Sequence, residues 1–174
     1  SCPNVKHGGI AFGQNPDSLF EITKEIKAKA KQPIIMKLSP NVTDITEMAK
    51  AAEAGGSDAL SLINTITGMK IDIHKRAFAL ANKTGGLSGP AIKPVAVRMV
   101  YQVANAVNLP IIGMGGIANA EDAIEFMMAG ATGVAVGAMN FVNPYTTKEV
   151  VDGIENYMDR YAIENLSDII GCVK

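Results

Sequence analysis

The sequence predicts an α/β fold in which parallel strands alternate with crossover helices, and two observations indicate this. Four short apolar runs are nearly continuous rather than alternating, which is typical of strands that are covered on both faces. Stretches of helical periodicity lie between and after these runs, and such alternation favours a parallel sheet. The strands are expected at residues 33–38, 59–63, 110–114 and 133–136.

The first two of the three helices predicted in residues 15–107 have a recognisable start or stop. Asn15, followed by a proline, is expected to cap a helix that continues to about residue 31. A second helix should cover about residues 44–54 and stop at Gly55. A third should cover about residues 94–107. The apolar face of the second helix contains Ile45, Met48, Ala49 and Ala52.

The last two helices are predicted from their first turns. Asn119 is expected to begin the fourth helix, with acidic residues at its positive end. Thr146 and Glu149 have the spacing of a capping box, which predicts the start of the fifth. The apolar stripe of this helix would contain Val150, Val151, Ile154, Tyr157, Met158 and Tyr161.

The length of the chain limits the architecture. Four βα units are half of a (β/α)8 barrel, which takes about 250 residues, so 174 residues cannot close one alone. The prediction is therefore a single domain, residues 1–174, that forms half of a barrel; an open doubly wound sheet fits the pattern as well. Residues 65–90 show neither period, and their glycine-rich end predicts a functional loop.

The composition excludes several classes of function. A net charge of −1 gives no basic surplus for nucleic acid or an anionic membrane surface, and no apolar run is long enough to span a membrane. Cys2 and Cys172 form neither a disulfide framework nor a four-ligand zinc site, and Cys172 is expected to be structural. His7 and His74 are isolated, so no metal site is expected. The predicted setting is a reducing cytoplasm.

Polar residues and glycines follow the predicted strands, at the end where barrel sites lie. Glycine turns after the last two strands, with free N–H groups near a helix start, predict a phosphate site. Lys37 is either a fixed positive charge facing a cofactor or a lysine that reaches solvent at the strand rim. The other residues at these strand ends are Asn64, Thr65, Gly115, Gly116, Gly137 and Ala138.

Two residues near the start of the chain complete the candidate set. Cys2 is either a general base or nucleophile, or a small buried apolar residue. Asn4, like Asn64 and Thr65, offers donors and acceptors that suit a planar heterocycle. Considered alone, these residues fit turn capping better.

Five motifs then resemble one known family. They are Ser-Cys-Pro-Asn at 1–4, Lys-Leu-Ser-Pro-Asn-Val-Thr-Asp at 37–44, Ile-Asn-Thr at 63–65, Gly-Gly-Leu-Ser-Gly-Pro-Ala at 85–91 and Gly-Met-Gly-Gly-Ile at 113–117. In this order they resemble class 1 dihydroorotate dehydrogenases. They are closest to the B branch, which couples to an iron–sulfur flavoprotein subunit and NAD.

The resemblance implies an FMN-containing (β/α)8 barrel that oxidises dihydroorotate to orotate in pyrimidine biosynthesis. Cys2 would take the proton from C5 of dihydroorotate while hydride leaves C6 for FMN. A free thiol, with a pKa of about 8.5, fits a base that works somewhat above neutral pH. Asn4, Asn64 and Thr65 would hold the pyrimidine ring and its carboxylate.

The resemblance also implies the FMN contacts and the partners. Lys37 would lie beside the flavin ring, and Ile63 and Gly89 would contact FMN through their backbones. The phosphate would be held by Gly115, Gly116, Gly137 and Ala138, although Ala138 lacks the hydroxyl that is usual in the family. The partners would be a second copy of the chain and an electron-transfer subunit that carries FAD and an iron–sulfur cluster.

Two alternatives to this function remain open from the sequence. A dihydropyrimidine dehydrogenase domain shares the Cys-Pro loop, and a non-catalytic half-barrel could bind only a phosphate ligand. The membrane-bound class 2 enzymes are disfavoured because they use a serine base. Since the family's first four strands have no counterpart here, we expect a truncated chain, a proteolytic product, or one of two chains that complete a barrel.

Overall fold

The computed structural model describes residues 12–173, in which four parallel strands form one sheet. The strands lie side by side in the order of the chain, so each strand lies beside the strand of the preceding βα unit. This is the arrangement expected for four consecutive units of a (β/α)8 barrel. The strands are β1 (Ile35–Lys37), β2 (Ala59–Leu62), β7 (Ile111–Met114) and β8 (Gly133–Ala135).

Five helices accompany the sheet, each packed against the next along the chain. The core between sheet and helices contains fully buried Leu60 and Ile111 from strands and Val100 and Phe126 from helices. The first and third helices end at residues 29 and 104, slightly before the predicted residues 31 and 107. The helices are α1 (Pro16–Lys29), α2 (Ile45–Ala54), α3 (Lys93–Ala104), α4 (Ala120–Met128) and α5 (Thr146–Tyr161).

The predicted strands are all present, but only the central pair is well buried. In β2 and β7, Leu60, Leu62 and Ile111 are at most 1% exposed. In β1, by contrast, Ile35 is 48% exposed and Lys37 is also exposed, so the prediction of a strand covered on both faces was wrong there. The reason is position, because β1 and β8 are the outer strands of the described sheet.

The segment predicted as an irregular loop, residues 65–90, contains four short strands. β3 (Ile66–Met69) pairs antiparallel with β6 (Thr84–Leu87), and β4 (Ile71–Asp72) pairs antiparallel with β5 (Ala77–Phe78). The prediction was wrong because strands of two to four residues are too short to show a period of two.

Side-chain caps begin three of the helices as predicted or close to it. The Asn15 Oδ1 atom accepts from the Ser18 N–H at 2.8 Å, and Asn119 Oδ1 accepts from the Asp122 N–H at 2.9 Å. Asp44 caps α2, whose predicted apolar face is buried and whose C-cap is Gly55.

The capping box predicted for α5 is not formed. The N-cap is Tyr145, which makes no side-chain capping bond, and Thr146 is the first helical residue. The Thr146 hydroxyl donates to the Asn143 carbonyl at 2.7 Å, and Glu149 accepts from the Asn143 amide at 2.9 Å. The helix therefore starts one residue earlier than the motif requires, because Thr146 is its first residue and not its N-cap. Two members of the predicted apolar stripe, Val151 and Tyr161, are exposed.

Acid should selectively weaken the cap of α2. The hydroxyl and the N–H of Thr46 both donate to the Asp44 carboxylate, which lowers the pKa of Asp44. Because this pKa is lower in the folded state, the stabilisation is fully present above about pH 4 and is lost as pH falls through the folded-state value. Urea unfolding should therefore show the gap in unfolding free energy between wild type and Asp44→Asn shrinking from pH 6 to pH 3. A gap that does not change with pH would contradict this.

Candidate active site

A cavity of about 390 Å³ lies at the carboxyl ends of the four parallel strands, where the connecting segments meet. All the predicted site residues that the structure describes line this cavity, while Cys2 and Asn4 lie outside the described residues. A larger groove of about 850 Å³, between α3, α4 and α5, contains none of them. The predicted residues that line the smaller cavity are Lys37, Ile63, Asn64, Thr65, Gly89, Gly115, Gly116, Gly137 and Ala138.

The exit of β2 lies at the centre of this edge. The Ile63 N–H donates to the Met114 carbonyl at 2.9 Å, and the Asn64 N–H donates to the Leu38 carbonyl at 3.1 Å. These two bonds hold the segment between the ends of β1 and β7. The Asn64 side-chain oxygen accepts from the Thr65 N–H at 2.8 Å, which orients the amide at the cavity.

Asn41 holds the loop after β1 against the loop after β2. Its Nδ2 donates to the Thr65 carbonyl at 3.1 Å, and its Oδ1 accepts from the Thr67 N–H at 2.9 Å. Its own carbonyl accepts from the Gln14 amide at 2.8 Å. The sequence showed Asn41 only as part of a motif, because these partners are 24 to 27 positions away.

The hairpin formed by β3 and β6 closes over Thr65. A Cβ atom on Gly86 would be 2.2 Å from the Thr65 Oγ1 and 2.6 Å from its Cβ. Only a residue without a side chain fits at position 86 while Thr65 keeps this position. The hairpin therefore packs against Thr65, which lines the cavity, and the functional role of the segment stays a prediction.

The loop after β7 has a backbone that suits an anion. Gly115 and Gly116 have φ angles of 125° and 83°, a region that favours glycine. No acceptor among residues 12–173 takes their N–H groups. A Cβ atom on Gly89 or Gly137, which line the same cavity, would meet no atom within 4 Å. Free amides beside open space are typical of phosphate sites.

Gly116 is also packed tightly against the start of α3. A Cβ atom at Gly116 would be 2.8 Å from the Gly89 carbonyl oxygen and 2.9 Å from the Lys93 nitrogen. The loop can hold this position only with glycine at residue 116.

An ion-pair network that the sequence did not predict connects α3 to α4. The Lys93 ammonium lies 2.7 Å from Asp122 Oδ1 and 2.6 Å from Glu125 Oε2. The hydrogen bonds to Asp122 and then to Glu125 raise the pKa of Lys93. The second Asp122 oxygen accepts from the Ala118 N–H at 2.9 Å. A separation of about 30 residues between the partners left no local signal for this network in the sequence.

Other groups in the described part of the chain contribute less to the candidate site. No cluster of three or more His, Cys, Asp or Glu side chains among residues 12–173 could hold a metal ion. No helix in this range has both the length and the hydrophobicity needed to cross a membrane. Cys172, expected to be structural, is exposed, so that expectation was wrong.

Comparison with known proteins identifies relatives along the whole chain. The chain is 74% identical, over all of its 174 residues, to dihydroorotate dehydrogenase B (NAD(+)), catalytic subunit, of Lachnoclostridium phytofermentans, and covers 58% of that protein. The protein of the same name from Alkaliphilus oremlandii is 69% identical over 98% of the chain and 57% of its own length. The chain thus spans little more than half the length of these relatives.

A solved structure and a family model agree with this. The crystal structure of DHODH from Eimeria tenella in complex with ferulenol superposes with a TM-score of 0.80 at 27% identity, and covers 99% of this chain and 52% of that one. The predicted fold class, an α/β half of a (β/α)8 barrel, is confirmed, whereas the single-domain boundary stays a prediction. The dihydroorotate dehydrogenase model matches residues 1–158. The chain therefore belongs to the dihydroorotate dehydrogenase family.

Proposed function

We propose that this chain supplies the flavin-binding and substrate-binding part of an enzyme that oxidises dihydroorotate to orotate in pyrimidine biosynthesis. The observation that carries the proposal is the single cavity lined by all of the described residues that the family resemblance assigns to FMN and substrate. Membership of the dihydroorotate dehydrogenase family supports the same reaction.

The residues present fit FMN. The N–H groups of Gly115 and Gly116, with Gly137 and Ala138 opposite on the next unit, offer neutral donors to a phosphate. The missing hydroxyl at Ala138 leaves backbone N–H groups to serve there. Lys37 lines the cavity and has no carboxylate at ion-pair distance among the described residues, so its charge is available to a flavin ring.

The chemistry divides between the cofactor and the chain. FMN, when bound, supplies the acceptor for the hydride that leaves C6 of dihydroorotate. Cys2, as a thiolate, would take the C5 proton onto its sulfur, so that loss of one proton and one hydride forms the double bond of orotate. Asn64 and Thr65, with Asn4, would hold the ring so that the C5 proton faces Cys2.

The partners follow from the B-type relatives. The words "NAD(+)" and "catalytic subunit" in their names describe an enzyme with a further subunit. We propose that electrons pass from FMN to an iron–sulfur flavoprotein subunit that carries FAD, and then to NAD, and that the catalytic chain is a homodimer.

An anaerobic visible spectrum tests the proposal. The protein translated from the whole reading frame that encodes this sequence should bind added FMN, and dihydroorotate should bleach the flavin band. Bleaching by dihydrouracil instead would favour the dihydropyrimidine dehydrogenase alternative. A protein that binds no flavin would contradict the proposal and favour a non-catalytic half-barrel.

A further inference from the structure

Three charged side chains lie next to the glycine loop that follows β7. The Lys93 ammonium bonds both Asp122 and Glu125, at 2.7 and 2.6 Å. The Lys93 and Asp122 side chains are only 27% and 12% exposed, so water screens this pair less than it screens a surface ion pair. Glu125 is the exposed member of the group, with 48% of its side chain accessible.

The same residues contact the loop itself. The Lys93 backbone nitrogen and Cβ lie 2.9 Å from the place a Gly116 Cβ would take. Asp122 bonds the Ala118 N–H, two residues further along the loop. The backbone of Lys93 therefore packs against one end of the Gly116–Ala118 segment, and the Asp122 carboxylate bonds the other end.

The charges of the three side chains do not balance. One ammonium faces two carboxylates, so the group carries a formal charge of −1 beside a loop proposed to bind a phosphate dianion. Without the Lys93 ammonium the charge would be −2, and the electrostatic repulsion of a phosphate bound at the loop would be larger. The Lys93 ammonium already bonds both carboxylates. It therefore affects a bound phosphate by neutralising these carboxylates rather than by contacting the phosphate.

We infer that Lys93 is a positioning residue that sets the affinity of the site for the phosphate of its flavin, by neutralising Asp122 and Glu125 beside the loop that follows β7. This inference rests on the proposed function. The inference predicts different effects on the binding of two ligands that share the flavin ring, because FMN carries the phosphate and riboflavin does not.

The ratio of two dissociation constants tests it. In the protein from the whole reading frame, Lys93→Met should weaken FMN binding about tenfold, the scale of one partly screened charge. Riboflavin binding, measured by the same flavin-fluorescence titration, should change by less than about twofold. Glu125→Gln, which removes an exposed negative charge and should fold normally, should shift the ratio the other way and favour FMN.

Matched controls define the outcomes. Lys27→Met breaks another lysine–aspartate pair, in which Lys27 of α1 lies 2.6 Å from Asp58 just before β2, and should leave the FMN-to-riboflavin ratio unchanged. Lys93→Arg, which keeps the charge, should recover most of the FMN affinity. Equal losses of FMN and riboflavin in Lys93→Met, or no shift in Glu125→Gln, would overturn the inference alone. A wild-type protein that binds neither flavin would overturn the proposed function and this inference with it.

Discussion

Replacing Cys2 with alanine should lower the rate of dihydroorotate oxidation at neutral pH by about 100-fold or more and leave FMN binding intact. The reason is that a positioned general base contributes about 10²–10⁴-fold to a proton transfer. In the proposed mechanism, the double bond of orotate forms only if the C5 proton is accepted as the hydride leaves C6. Rapid mixing of the flavin-loaded protein with dihydroorotate, followed at the flavin band, measures this step directly.

Cys172 provides the matched control for Cys2. It is the other cysteine of the chain, it is exposed, and its backbone N–H bonds the Ile169 carbonyl, which alanine would preserve. Cys172→Ala should therefore bleach flavin at the wild-type rate. If Cys2→Ala is as fast as Cys172→Ala, Cys2 is not the base.

Replacing Gly116 with alanine should both destabilise the protein and abolish tight FMN binding. The residue has a φ angle of 83°, which costs a side-chain-bearing residue about 1–3 kcal/mol. The added Cβ would also meet the Gly89 oxygen at 2.8 Å and the Lys93 nitrogen at 2.9 Å. Both are backbone atoms with little freedom to move. Any shift that relieves the contact displaces the N–H groups proposed to hold the phosphate. Urea unfolding and flavin titration measure the two losses.

Gly133→Ala is the control for this substitution. A Cβ at Gly133 would meet no atom within 4 Å, and the residue lies inside a strand, where alanine is the better residue. This variant should match or slightly exceed wild-type stability and bind FMN normally. Equal effects of the two substitutions would show that the geometry at Gly116 imposes no constraint.

The sequence was sufficient for those parts of the fold that depend on local pattern. Continuous apolar runs located all four strands of the parallel sheet, and Asn15 and Asn119 cap helices as expected. The site followed from the same logic, because parallel strands bring their carboxyl ends to one edge. Lys37, Asn64 and Gly115 are far apart in sequence and still line one cavity.

The remaining features depend on partners that are distant in sequence. Asn41 was unassigned because its role lies in bonds to the backbone of another loop, and the Lys93–Asp122 pair joins two different helices. At the start of α5, the sequence was compatible with Thr146 either as the N-cap or as the first helical residue. The Thr146 hydroxyl bonds a carbonyl of the preceding turn instead of capping the helix.

The contact between Gly86 and Thr65 restricts how such a site could evolve. With a would-be Cβ 2.2 Å from the threonine hydroxyl, a side chain at position 86 becomes acceptable only if position 65 shrinks first. A change in the hairpin therefore has to be preceded by a change in the residue proposed to hold the substrate. A mutational route that adds a side chain at position 86 therefore passes through an altered Thr65, so this position of the hairpin and the cavity change together.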